Sequence, residues 1–197
     1  MNGWVRSSIR RWAIVAAALV LASCASKGNV IEAAQANARA RWAEVEQAYR
    51  ARAMLIPADL GDLASNAPDA EREMLSEVLD ARRRAMRTEV LPENLDDPAM
   101  MDAYFLAQGQ LEASINHLVT SSDTLPDLDT VLSPGMLQMQ AQMSGGHISE
   151  AIIAYNQAAG RFNQAINSFP NNLTSRVIYG IHPMVLAKDR QATTPGD

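Results

Sequence analysis

From Val30 onward, apolar residues recur at three- and four-residue intervals and nowhere alternate with polar ones over a useful length. That spacing predicts helices rather than strands. The first run spans about Val30 to Ile56, with Ile31, Ala38, Trp42, Val45, Tyr49 and Ile56 on one seam. Pro57 and Asp59-Leu60-Gly61-Asp62 interrupt or end it. The second runs from about Pro68 to Val90, with Asn66 as its cap and Asp69 and Glu71 in its first turn. Its seam reads Leu75, Leu79 (or Val78), Arg82 and Met86. The third opens at Asp97-Pro98, an N-cap followed by proline at the first helical position. It continues to about Ser122 through Met101, Tyr104, Leu111, Ile115 and Leu118, and Leu125-Pro126-Asp127-Leu128 connects it to the next. The fourth opens with the same signal at Ser133-Pro134, ends at Phe169-Pro170-Asn171-Asn172, and would be about 50 Å long if unbroken. Gly145-Gly146 is its weak point, where a kink or a split is expected. A short helix is compatible with Leu173 to Tyr179, and residues 191–197 read as a disordered tail.

Four amphipathic segments with short connections bury their stripes by packing antiparallel. The expected fold is therefore all-α: an antiparallel up-and-down helical bundle of about four long helices over residues 30–190. Its expected core includes Trp42, Val45, Tyr49, Leu79, Tyr104, Leu111, Ile115, Leu118, Tyr155, Phe162 and Phe169.

The chain begins differently. Arg6, Arg10 and Arg11 precede an apolar run of eleven residues, Trp12 to Ala22. That run makes a helix of about 16 Å, too short for roughly 30 Å of hydrocarbon. A basic start and a short apolar run are the layout of a secretory signal. Leu21-Ala22-Ser23-Cys24 follows, and it resembles the lipobox of bacterial lipoproteins. Cys24 is the only cysteine in the chain. The plainer alternatives are an ordinary signal peptide with a chance cysteine, or a short anchor with a buried thiol. The expected arrangement is a signal peptide over 1–23, acylation at Cys24 (palmitate or a similar fatty acid), and a tether over 24–29. Two acyl chains already suffice for stable anchoring. Ala25, rather than Asp, follows the cysteine. By the sorting rule of Gram-negative lipoproteins, that favours the periplasmic face of the outer membrane in a cell with two membranes.

Composition narrows the function classes. The 197 residues are 48% hydrophobic, enough for a real core. Seventeen Lys+Arg against 22 Asp+Glu gives −5, and without the three arginines of the leader the balance is 14 against 22, or −8. An acidic chain is a poor nucleic-acid binder, and none is expected as a partner. One cysteine excludes a disulfide framework and a Cys-based zinc cluster.

The fourth segment carries the sharpest pattern: Tyr155-Asn156, Phe162-Asn163 and Phe169-Pro170, with an aromatic ring every seven positions. It resembles the signature of the LemA family. Arg52-Ala53-Met54-Leu55-Ile56-Pro57 is similar to that family's Arg-Ala-Asp-Leu-Ile-Pro element, Ala81-Arg82 to its second helix, and Leu125-Pro126-Asp127-Leu128 to its Tyr-Pro-Asp-Leu. The likeness covers about Val30 to Leu186. Four features depart from it. Met54 replaces an acidic residue, Ile152 replaces an arginine, a glutamate is replaced in the Gly145-Gly146 region, and a lipobox stands where a longer apolar anchor is usual. The resemblance implies a membrane-tethered helical bundle and fixes architecture better than activity.

Heptad spacing puts Tyr155, Phe162 and Phe169 on one face as a core stripe. Asn156 and Asn163 lie at its flank, where they must find partners or cost about 1–3 kcal/mol each. They are expected to bond across to a neighbouring helix or connection and so fix register. A peptide-binding role is the alternative. Met136, Met139, Met143 and His147 share one helical face, and thioethers with an imidazole can hold Cu(I) outside the cytoplasm. Core filling is the simpler reading of the methionines, and no metal site is assigned. His117 and His182 have no ligand-spaced neighbours. Arg82-Arg83-Arg84 and Arg87 are flanked by Glu73, Glu77, Asp80 and Glu89 and read as a solvated face. No Gly-x-Ser-x-Gly or His-Glu-x-x-His occurs. The expected function is a non-enzymatic scaffold or adaptor for other envelope proteins, with no cofactor, held to a membrane through lipidated Cys24. The alternative is a soft-metal (copper) handling lipoprotein.

Overall fold

The computed structural model describes residues 30–57, 59–121, 133–168 and 181–188. Those residues form five helices and no strand. Helix α1 covers residues 30–53, α2 Leu60–Asn66, α3 Asp69–Arg87, α4 Pro98–Thr120 and α5 Pro134–Asn167. The bundle is all-α. Hydrogen bonds fix the directions: Arg82 of α3 reaches Ala53 O of α1, and Gln108 of α4 reaches Ala85 O of α3. The Trp42 and Tyr155 rings meet 5.2 Å apart, and Arg52 reaches Ser144. Thus α1 and α4 run one way, and α3 and α5 run the other.

Local chemistry explains the boundaries. The Asp97 carboxylate accepts from Ala99 N and Met100 N, with Pro98 at the first helical position. That fills two of the donors every helix start leaves open. Helix α1 ends in a turn at Met54-Leu55, and the proline at 57 cannot continue it.

Several boundaries differ from the sequence pattern. The stretch around Asp59-Leu60-Gly61-Asp62 is not merely a break: Leu60 opens the short α2, because Leu60 and Ala64 bury one turn apart against α3. Asn66 does not cap α3. Its Nδ2 donates to Asp62 O within α2, and Pro68 takes the cap position without a side-chain bond. The buried face of α3 is Leu75, Val78, Ala81 and Ala85, while Leu79 is only half-buried and Met86 is exposed. Two small residues let α3 approach α4 closely, and that rotates the larger Leu79 and Met86 outward. Helix α5 runs through Gly145-Gly146 without a break for about 51 Å. Packing of α5 on α1 and α4 outweighs a glycine cost of about 1 kcal/mol each.

The core falls into two clusters. One, towards the start of α1, gathers Trp42, Tyr49, Tyr104, Phe105, Tyr155 and Phe162. The rings of Trp42, Tyr49, Tyr104, Phe105 and Tyr155 meet edge-on or tilted, with centroids 5.2–6.2 Å apart. That is the arrangement aromatic quadrupoles favour. The other holds Ile56, Leu60, Leu75, Leu111, Ile115 and Leu118. Between Tyr49 and Ala53 on α1 lies buried Arg52, and between Phe105 and Leu111 on α4 lies buried Gln108. A polar layer therefore crosses the bundle and divides its core.

Candidate functional site

Arg52 centres that layer and is only 3% exposed. Its Nη1 stands 3.1 Å from Glu112 Oε2, its Nε donates to Ser144 Oγ at 3.2 Å, and its guanidinium lies 6.0 Å from the centre of the Tyr49 ring. Three helices supply these groups: α1 the cation, α4 the carboxylate and α5 the hydroxyl. A cleft of about 370 Å³ opens beside the guanidinium between α4 and α5. Gly145 forms part of its wall. Sequence reasoning placed Arg52 in a family element but gave no sign of its burial. Arginine is rarely buried, and partners 60 and 92 positions away, Glu112 and Ser144, make it tolerable here.

Asn156 and Asn163 carry a second construction. Residues 181–188 are extended and lie antiparallel along α5. Asn163 Nδ2 donates to Met184 O at 2.9 Å, and Met184 N donates back to Asn163 Oδ1 at 2.9 Å. Asn156 makes the same pair with Ala187, both at 2.8 Å. Tyr155 OH donates to Val185 O at 2.8 Å, and Val185 N donates to Leu95 O at 2.8 Å. The spacing has a simple origin. Seven residues of helix rise about 10.5 Å, and three residues of extended chain cover about 10 Å. Two asparagines seven apart therefore meet backbone groups three apart, each primary amide serving as a strand's donor and acceptor.

Tyr155 and Phe162 are fully buried, whereas Phe169 and Pro170 lie outside the described residues, as do Cys24, its leader and Leu125-Pro126-Asp127-Leu128. Met136, Met139 and Met143 do not fill the core. They are 53–59% exposed, and His147 lies on the same face at 73%. Core positions of that half of α5 go instead to Leu137, Gly145 and Ile148. No group of three or more His, Cys, Asp or Glu side chains converges among the described residues. His117 stands 3.7 Å from Glu77, and exposed His182 edges a smaller cleft near Met184. Asp80 pairs with Arg83 rather than Arg84, and half-buried Arg82 spends its Nε on Ala53 O.

Burial shifts three acids. The Tyr104 phenol lies well above its ordinary range, first through burial and then through the Glu46 and Tyr49 charges, opposed by Arg50. Burial alone raises Tyr155. Glu46 is raised by burial and then by Glu89, with Arg50 opposing.

The LemA family profile matches residues 41–195. The chain belongs to the LemA family. Comparison with curated proteins and with solved structures gave no significant match. Among the described residues, no helix is long and apolar enough to cross a membrane.

Proposed function

We propose that this LemA-family protein is a non-enzymatic adaptor of the bacterial cell envelope, tethered through acylated Cys24 and docking other envelope proteins on its helical bundle. The observation that carries this reading is the methionine face of α5. Met136, Met139 and Met143 expose their thioethers near the end of the bundle opposite the start of α1, where the tether joins. Flexible, polarisable methionines suit a surface that binds partners by repacking. An anchor raises the local concentration of neighbours in the same membrane, so modest affinity suffices. Leu21-Ala22-Ser23-Cys24 supports the anchor and Ala25 supports the outer membrane.

Two experiments test it. Labelled fatty acid should enter the wild type and not Cys24→Ser, and equal labelling of both removes the tether. A photo-crosslinker at position 139 in living cells should capture one defined envelope protein. Capture should fail when Met136 and Met143 become Glu and persist when exposed Arg84 becomes Glu.

The soft-metal alternative draws on the same face, because solvent-accessible thioethers in register with His147 are open to Cu(I). Stoichiometric copper in the purified protein, lost on Met139→Leu, would select it over the adaptor.

A further inference from the structure

The Arg52 cleft carries an inference separate from the docking face. A guanidinium has five N–H donors. Arg52 uses one on Ser144 and turns Nη1 toward Glu112, and its Nη2 has no partner among the described residues. Nη2 is not one of the fully buried unpaired atoms, so it is open to water or to a ligand's acceptor. Arg52 lines the cleft, whose volume of about 370 Å³ lies in the range of small-molecule sites.

The lining restricts the ligand. Arg52 and Glu112 give one positive and one negative group at one end, so a net anion or cation meets repulsion as well as attraction. A zwitterion can turn its negative end to Arg52 and its positive end to Glu112, and so meets attraction at both. Glu112 is 38% exposed and keeps a second oxygen for an ammonium. Asn116, Gln138 and Gln142 present primary amides along the cleft, each able to donate to and accept from a peptide group. Ile115, Val119 and Ala141 supply an apolar wall.

We propose that this cleft binds a short zwitterionic peptide of two or three residues. Its terminal carboxylate accepts from Arg52, its ammonium donates to Glu112, and an apolar side chain lies on Ile115 and Val119. Binding involves no covalent step.

Calorimetric titration of the purified full-length chain in detergent with the dipeptide Ala-Leu tests this. Saturable binding is expected, weakened at least about tenfold when the carboxylate is amidated, as expected for loss of a charge-assisted bond. Glu112→Gln should weaken Ala-Leu about tenfold yet leave N-acetyl-Ala-Leu, which has no ammonium, at least as well bound as by the wild type. Ala141→Phe fills the cleft while keeping Arg52 and Glu112, and should abolish binding while helicity and melting persist. Absence of saturable binding by folded protein overturns the proposal. So does binding unchanged by Ala141→Phe, or an unchanged preference between the two peptides in Glu112→Gln.

Discussion

Asn163 and Met184 are joined by two hydrogen bonds of 2.9 Å, a side-chain amide matched against the N–H and C=O of one extended residue. The same arrangement recurs at Asn156 and Ala187, two helical turns away. Together they dock residues 181–188 without any strand partner from the sequence, and the docked Met184 and Ala187 close the aromatic cluster. The Tyr155-Asn156 and Phe162-Asn163 pairs thus have a mechanical meaning: the ring fills the core and the following amide holds the strap.

Asn163→Ala should release that strap. Two neutral hydrogen bonds are lost, and a half-buried N–H and C=O are left to find water, a cost of about 1–3 kcal/mol. Hydrogen exchange at the Met184 amide should accelerate far more than at α4 amides such as Leu111. Equal acceleration everywhere would mean that the strap has no independent hold.

Phe162 is fully buried in the same core cluster as Trp42, Tyr155 and Met184. Phe162→Ala should cost about 3–5 kcal/mol in denaturant unfolding, the usual loss for deleting a core ring. A cost under about 1 kcal/mol would contradict its placement.

How much of this was legible follows from range. The Asp97 cap is written within four residues, and the Trp42, Val45, Tyr49 seam within two turns, so pattern alone reaches them. The α3 face is harder, because Leu79 and Met86 are more apolar than Ala81 and Ala85. Close helix approach, which depends on a second helix, decides between them. The strap has no periodicity of its own and takes its bonds from α5 residues 21 to 31 positions away and from Leu95 at 90. The methionine stripe has the same spacing buried or exposed, and only the packed bundle shows that it faces solvent. The charge at Arg52 was readable as a residue and not as a buried centre.

Gln108 tests how the polar layer contributes to stability. Its Nε2 donates to Ala85 O, while its Oε1 is buried without a partner among the described residues. One bond gained and one acceptor stranded nearly cancel. Gln108→Met, similar in volume, should therefore change stability by less than about 1 kcal/mol in either direction. A loss beyond about 2 kcal/mol would show that the Ala85 bond outweighs the stranded oxygen.

Glu46 sets a pH dependence. Its folded pKa is raised, first by burial and then by Glu89, above the ordinary value of 4.5. The folded state therefore holds this proton more tightly than the unfolded one does. The resulting stability is fully present below pH 4.5 and is lost as pH rises through the folded pKa. Glu46→Gln removes a burdened charge, so its melting temperature should exceed the wild type's at pH 7 and converge with it near pH 4. Parallel curves at all pH values would exclude Glu46 as the source.

Arg52 separates folding from binding. Buried ion pairs often contribute little net stability, because removing two charges from water offsets their attraction. Here the partner is partly solvated: Glu112 is 38% exposed and can recover hydration once the guanidinium is gone. Ser144 Oγ already donates to Ala141 O at 2.8 Å and is not stranded either. Arg52→Met, which keeps most of the volume, should therefore change stability by less than about 1.5 kcal/mol. Arg52→Ala opens a void between the two core clusters and should cost about 2–4 kcal/mol. Denaturant midpoints of the two variants check the order. If Arg52→Met is as damaging as Arg52→Ala, the charge itself holds the bundle together, and its burial is explained by folding alone.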